Sequence, residues 1–293
     1  MKIRRQICVS PVFMRTNLGD NRADLMALVM KPRNNAPVPS YRDQGVVLRT
    51  HKLGEADRII TVLTREHGKV RAVAKGVRKS GSRFGARLEP LNFVDVQFHQ
   101  GRAMDTVTQV ETLAAYGAST STDYAKWTAG QAMVETADRL TPEEREPATQ
   151  QFLLLLGGLN ALANGEHEPG LILDSYLIRS MSIAGWAASF DACARCDEPG
   201  PHHWFSVAGG GALCSDCRVP GSATPSLETM NLLGALLAGD WFHADASEAK
   251  HRREASGIVA AHLRWHLERE VRSLKHVDRT PQKVAPAMTV DEV

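Results

Sequence analysis

The chain has 293 residues, 43% of them hydrophobic, and carries 35 Lys+Arg against 33 Asp+Glu, a formal net charge of +2. That length can bury a core without covalent staples and leaves room for two domains, which excludes a disulfide miniprotein. The apolar run from Phe152 to Leu162 is far too short to cross a bilayer, and no secretory h-region follows the basic start at Lys2, Arg4 and Arg5.

Residues 1–40 show no sustained period and end in Lys31-Pro-Arg-Asn-Asn-Ala-Pro-Val-Pro-Ser40, which reads as linker. Met14, Met26 and Met30 lie inside it, so a mis-called upstream start codon is a reasonable account of a disordered extension. From Tyr41 the character changes. Gly45–Thr50 and Asp57–Thr64 read as strands, the second rich in β-branched residues. Glu66 to Lys69 is a turn with Gly68 in place, and Val70 to Ala74 alternates as a third strand. Val94 to Phe98 is a fourth, and Met104 to Val110 a fifth. Five short strands predict a small barrel, and the OB-fold, a usual nucleic-acid platform, is the commonest five-stranded choice.

After Tyr116 the pattern is helical. Asp123 caps a helix to about Leu140; others are expected over Pro142–Asn164 and Pro169–Ala184. Ser226 caps a helix through Leu236, and a long last helix is expected from Ser247 to Val277. Its stripe is Val259, Leu263, Leu267, Val271 and Leu274. The tail from Asp278 reads as disordered. The fold class expected is α+β multidomain: extension 1–40, OB-fold barrel 41–118, helical domain 119–279 with a four-cysteine zinc-finger insertion at 190–220, and tail 280–293.

The insertion rests on two C-x-x-C pairs, Cys193/Cys196 and Cys214/Cys217, separated by 17 residues. Each knuckle turns tightly enough to aim two sulfurs at one ion, and the intervening loop is long enough to bring the second opposite the first. This is the spacing of a tetrahedral structural Zn2+ site, one per chain, with no open position for chemistry. Two disulfides would suit a small secreted domain, and a redox pair would need only one knuckle. His202 and His203 can replace a thiolate but sit more simply in the loop beside Trp204 and Phe205, where Gly209 to Gly211 turns the chain back. Cys8 reads as an isolated free thiol. Reduced cysteines point to the cytoplasm.

Between Glu66 and Glu89 there is no acidic residue but seven cations: Lys69, Arg71, Lys75, Arg78, Lys79, Arg83 and Arg87. Residues 41–120 hold 13 Lys+Arg against 8 Asp+Glu, net +5, so the remainder carries −3 and the positive field belongs to the barrel. The stretch Lys75 to Arg87, mixed with Gly and Ser, reads as a flexible phosphate-binding loop in which Phe84 stacks on a base. A charge run on its own is more often a solvated loop. A second basic face, Arg272, Lys275 and Arg279 after Glu268, is an ordinary helix surface with a lesser claim on function. His262 and His266, one turn apart, lack the Glu of H-E-x-x-H and read as packing residues. No P-loop, G-x-S-x-G or dinucleotide fingerprint occurs, so no catalytic residue is expected and the chain is read as a non-enzyme.

Tyr41-Arg-Asp-Gln-Gly-Val-Val-Leu-Arg-Thr-His-Lys-Leu-Gly-Glu through Lys69, then Ala74-Lys-Gly-Val-Arg and Ser82-Arg-Phe-Gly-Ala-Arg-Leu-Glu-Pro90, resemble the RecO family of bacterial recombination mediators, in wording nearest its actinobacterial branch. The knuckles, Trp265-His-Leu-Glu268 and Arg272-Ser-Leu-Lys also fit, so the resemblance spans about 41–279. It implies an OB-fold, a helical domain with a zinc finger, and binding of single- and double-stranded DNA with strand annealing. It further implies work with RecR to load RecA onto gaps coated by single-stranded DNA-binding protein, and recognition of that protein's acidic C-terminal tail. Some members lack a full cysteine set. On this reading the protein is cytoplasmic and nucleoid-associated, with no membrane partner. The alternatives are a zinc-stabilised RNA-binding module and a protein–protein adaptor whose basic loop docks an acidic partner.

Overall fold

The computed structural model describes residues 39–82, 84–267 and 270–277. Residues 1–38 of the extension, with Cys8, as well as Arg83, Glu268, Arg279 and the tail, lie outside the described residues; Ser40, expected in the extension, opens the first strand.

Five strands close into a barrel in the order β1-β2-β3-β5-β4. They are β1 (Ser40–Leu53), β2 (Asp57–Thr64), β3 (Gly68–Ala74), β4 (Phe93–His99) and β5 (Asp105–Ala114). All neighbours are antiparallel except β3 and β5, which run parallel and pair only at Ala72–Asp105 and Val73–Thr106. This is the expected OB-like barrel, with β1 and β5 longer than their apolar cores suggest.

The helices follow: α1 (Tyr116–Thr120), α2 (Tyr124–Leu140), α3 (Thr149–Asn164), α4 (Pro169–Ile183), α5 (Leu227–Ala238), α6 (Trp241–Asp245) and α7 (Ala249–His266). Asp123 accepts hydrogen bonds from the amides of Ala125 (2.9 Å) and Lys126 (3.2 Å), and Ser226 Oγ from Thr229 (3.3 Å), so both expected caps are in place. None of the described helices is long and apolar enough to cross a membrane.

The barrel interior is one core, and the outer face of β1 and β2 joins the helices in a second. β1 carries Val46, Val47 and Leu48 in an unbroken apolar run. Val46 and Leu48 share one face and join Leu63 in the core with the helices, while Val47 faces the barrel interior with Ile60 and Val62. Strands buried on both faces lose the alternation of a half-exposed strand. On the helical side α4 is central, buried at every position from Leu171 through Ile178.

Two expectations are corrected. The helix over Pro142–Asn164 begins only at Thr149. Pro147 disfavours helix at the residue before it, and residues 141–148 instead run beside β3, with Arg145 N donating to Lys69 O (2.9 Å). Gly68 is needed there: its φ is +63°, and a Cβ would lie 1.7 Å from Glu146 O. The last helix stops at His266, not Val277. Residues Arg272–His276 form a 3-10 turn held against α2 by Glu135, which accepts from the amides of Arg272 (2.9 Å) and Ser273 (2.8 Å) and from the Ser273 hydroxyl. Amides that a longer helix would have satisfied internally are satisfied by this one carboxylate.

Burial pushes the Glu135 carboxyl up, but those bonds and Arg139 (2.9 Å) outweigh it and hold its pKa below the ordinary value. A depressed carboxylate contributes stability that is full above the unfolded value, about 4.3, and is lost as pH falls through the folded one. Glu135→Gln should therefore cost about 1 kcal/mol near neutrality and flatten the acid limb of a stability-versus-pH curve measured by denaturant unfolding.

Candidate nucleic-acid interface and metal centre

β3 delivers the chain into the basic segment at Lys75. Gly76 N donates to Asp57 Oδ1 (2.7 Å), Arg78 N to Ala56 O (2.9 Å), Lys79 N to Gly76 O (3.1 Å) and Ser82 N to Lys79 O (2.9 Å). Val77, Phe84 and Leu88 point inward and join the barrel core. A 3-10 turn over Gly85–Leu88 follows, its carbonyls at Ala86 and Arg87 accepting from Asn92 Nδ2 (2.9 and 3.4 Å). The segment is thus a pair of anchored turns rather than the flexible loop expected from its glycines and serines. Apolar residues face in; Lys75, Arg78, Lys79 and Arg87 face out.

Phe84 is 4% exposed. The expected free stacking face is not offered, because the ring closes the end of the barrel. Lys75, Arg78 and Lys79 make no ion pair among the described residues, and the bounding acid Glu89 is already held by Arg58 (2.6 Å).

The other two expected cations have partners from the helical half. Lys69 is buried, with Nζ 3.0 Å from Asp138 O and 3.3 Å from Asp138 Oδ1; Arg49 reaches the other oxygen at 3.2 Å. Lys69 therefore ties β3 to α2 and is not available to a ligand. Arg71 pairs with Glu144 at 3.2 Å, but both are more than 40% exposed, and such a pair is worth under about 1 kcal/mol. Nearby, fully buried Asp105 accepts from Arg145 and from Tyr41, each at 2.5 Å. Asp138, Glu144 and Arg145 lie some 70 or 40 positions from their partners, and nothing local in the sequence marks them.

The second site is the insertion between α4 and α5. Its hairpin, β6 (Trp204–Ser206) and β7 (Gly211–Leu213), is joined to the main core by stacked Phe190 and Phe205, 5.9 Å apart. Ala194 N donates to Ala212 O (2.8 Å), bringing the first knuckle onto β7. The sulfurs of Cys193, Cys196, Cys214 and Cys217 all lie within 4.8 Å of one another, with Cys196 and Cys214 3.6 Å apart. A thiolate–metal bond of about 2.3 Å makes the edge of a tetrahedron about 3.8 Å, so the four sulfurs fit one ion. All four are free thiols, so the disulfide alternative is not realised. Burial pushes the Cys193 thiol up, but the amides of Cys214, Arg195 and Cys196 aimed at its sulfur bring it down to about 6. Hydrogen bonds to Cys196 and Cys214 push Cys217 up to about 12. One thiolate suppresses ionisation of its neighbours until a cation joins them. His202 bonds Glu198 O (2.8 Å), and His203 meets the edge of Trp204, so neither belongs to the sulfur cluster. His262 is buried and its Nε2 donates to Trp186 O (2.9 Å), while His266 stacks on Trp186, which are packing roles.

The family described as Recombination protein O N terminal matches residues 38–116, and that described as Recombination protein O C terminal matches 121–275. The chain belongs to the RecO family. Relatives named DNA repair protein RecO include that of Streptomyces griseus, 60% identical over 245 residues, covering 82% of this chain and 99% of its own. That of Nocardioides sp. is 60% identical over 242 residues with the same coverage, and that of Frankia casuarinae 55% identical over 242 residues, covering 83% and 100%. The RecO match thus runs through both the barrel with its basic segment and the helical half with its cysteines.

Asp138→Ala would leave the Lys69 ammonium buried without its carboxylate. It should destabilise the protein by about 3 kcal/mol in denaturant unfolding, while Lys79→Glu, at an exposed position, should change stability by less than about 0.5 kcal/mol.

Proposed function

We propose that the chain is a non-enzymatic mediator of recombination and repair. It binds single- and double-stranded DNA and brings complementary strands together. With RecR it helps load RecA onto gaps coated by single-stranded DNA-binding protein, whose acidic C-terminal tail it recognises. The observation that carries this reading is the outward row Lys75, Arg78 and Lys79, exposed and without carboxylate partners among the described residues, on a rigid mount at the end of an OB-like barrel. Arg83 and Arg87 complete the contact set, with Arg71 secondary; Lys69 and Phe84 serve the fold. The relatives' shared name as DNA repair proteins supports the same ligand, and DNA as ligand puts the protein in the cytoplasm at the nucleoid. Annealing needs no catalytic group, only relief of phosphate repulsion while two strands are held close.

The four thiolates would hold one structural Zn2+ per chain, at Cys193, Cys196, Cys214 and Cys217. Four protein ligands leave no open position, so the ion would brace the insertion rather than do chemistry.

Five neutralised phosphates predict a log–log salt slope near −3.5 on single strands, about −0.7 for each. Reversing Arg78 and Lys79 to Glu should reduce it to about −2. Binding indifferent to salt and to that reversal contradicts the assignment. For the ion, metal analysis of the purified chain should find one zinc, and Cys196→Ser should lower zinc content and stability together. A metal-free protein with four free thiols and unchanged unfolding would refute the site.

A further inference from the structure

A cavity of about 620 Å³ opens beside the basic segment. Ser82, Phe84 and Arg87 form one wall; Ala115, Ala118 and Trp127, from α1, α2 and the turn before them, form the other. The lining is mainly apolar, with Thr112 and Ser121 among its polar residues. Its walls are fixed to each other. Asn92 bonds the basic segment through Nδ2 (2.9 Å to Ala86 O) and receives Gly117 N on Oδ1 (3.3 Å). Gly117 approaches so closely that a Cβ would lie 2.9 Å from Pro90 O. The cavity is therefore preformed and of ligand-binding size.

We infer that this cavity takes one unpaired base of a single strand whose phosphates lie on the basic segment. The inference rests on the reading of that segment as the phosphate-binding surface, and supplies what it lacks, a means to prefer single strands. Charge complementarity selects the occupant. The lining includes Arg87, with Lys79 one hydrogen-bonded turn from Ser82 in the wall (2.9 Å), while Glu89 in the lining is paired with Arg58. A polyanion entering along these cations presents its planar rings to an apolar slot with an indole in it, and ring stacking of this kind tolerates any base. A duplex keeps its bases paired and can use only the cations.

Ala118 is exposed, so Ala118→Phe fills the slot without touching the core. Stacking of one base predicts about a tenfold loss of single-strand affinity in this variant, with duplex affinity unchanged. In the parent chain, a 5-iodouracil oligonucleotide should photo-crosslink to Trp127, and Ala118→Phe should abolish that crosslink. Single-strand affinity within about twofold of the parent overturns the base slot wherever crosslinks fall. Charge reversal at Arg78 and Lys79 separates the two claims. If it weakens both single strand and duplex while Ala118→Phe weakens neither, the slot fails and the phosphate surface stands. If it weakens neither, the phosphate surface itself fails.

Discussion

β3 and β5 pair in register at only two positions, and beyond them the neighbour of β3 comes from the helical half, through a bridge between Lys69 and Glu144. Segment 141–148 lies along the free end of β3, Arg145 N bonding Lys69 O and the Arg145 guanidinium reaching buried Asp105. Lys69 answers from the barrel by reaching Asp138 on α2. Buried ion pairs are poor sources of net stability, but removing one partner is costly, so they fix register. The apolar contact of Val46, Leu48 and Leu63 with the helices supplies the bulk of the attraction, and the charged contacts decide how the surfaces align. The barrel is thereby held as part of one body, and the segment leaving β3 at Lys75 starts from a fixed point.

That constraint sorts the cations of a single run into two kinds. Along β3, Lys69 and Arg71 meet carboxylates from the helical half. Beyond β3 the chain turns at Gly76, buries Val77, Phe84 and Leu88, and leaves Lys75, Arg78 and Lys79 facing water. Holding such a set rigid lowers the ordering cost of binding a phosphate chain. The cysteine insertion lies more than a hundred residues further on, fastened to the helical core through Phe190 and Phe205. Its chemistry is closed on itself, so the charge on the barrel and the thiols in the insertion do separate jobs.

Much of this was legible from the residues because it is local. Alternation and β-branched content placed the five strands, Asp123 and Ser226 marked helix starts by their side-chain oxygens, and the cysteine spacing named its own geometry. What is not legible depends on distant partners. The stripe through Leu267, Val271 and Leu274 keeps helical spacing after the helix has ended: all three still pack on the core, Leu274 from a 3-10 turn whose Arg272 amide donates to Glu135, 137 positions away. Lys69 looks like its neighbours in a charge count, and only the fold sets Asp138 beside it. Phe84, between polar residues, reads as exposed until the 3-10 turn swings it into the barrel. α6 leaves no mark in the sequence because Trp241–Asp245 is too short for a period to show; its Trp241 is placed by stacking on His167, 4.0 Å between centroids.

On the proposed function, the outward cations of the 75–88 segment, and not the cations tied into the fold, do the work on DNA. The annealing rate of two complementary oligonucleotides coated with single-stranded DNA-binding protein measures this directly. A chain with Lys75, Arg78 and Lys79 all reversed to Glu should fold with the parent's stability and let annealing fall to the uncatalysed rate. Annealing at the parent's rate by that folded variant would contradict the account.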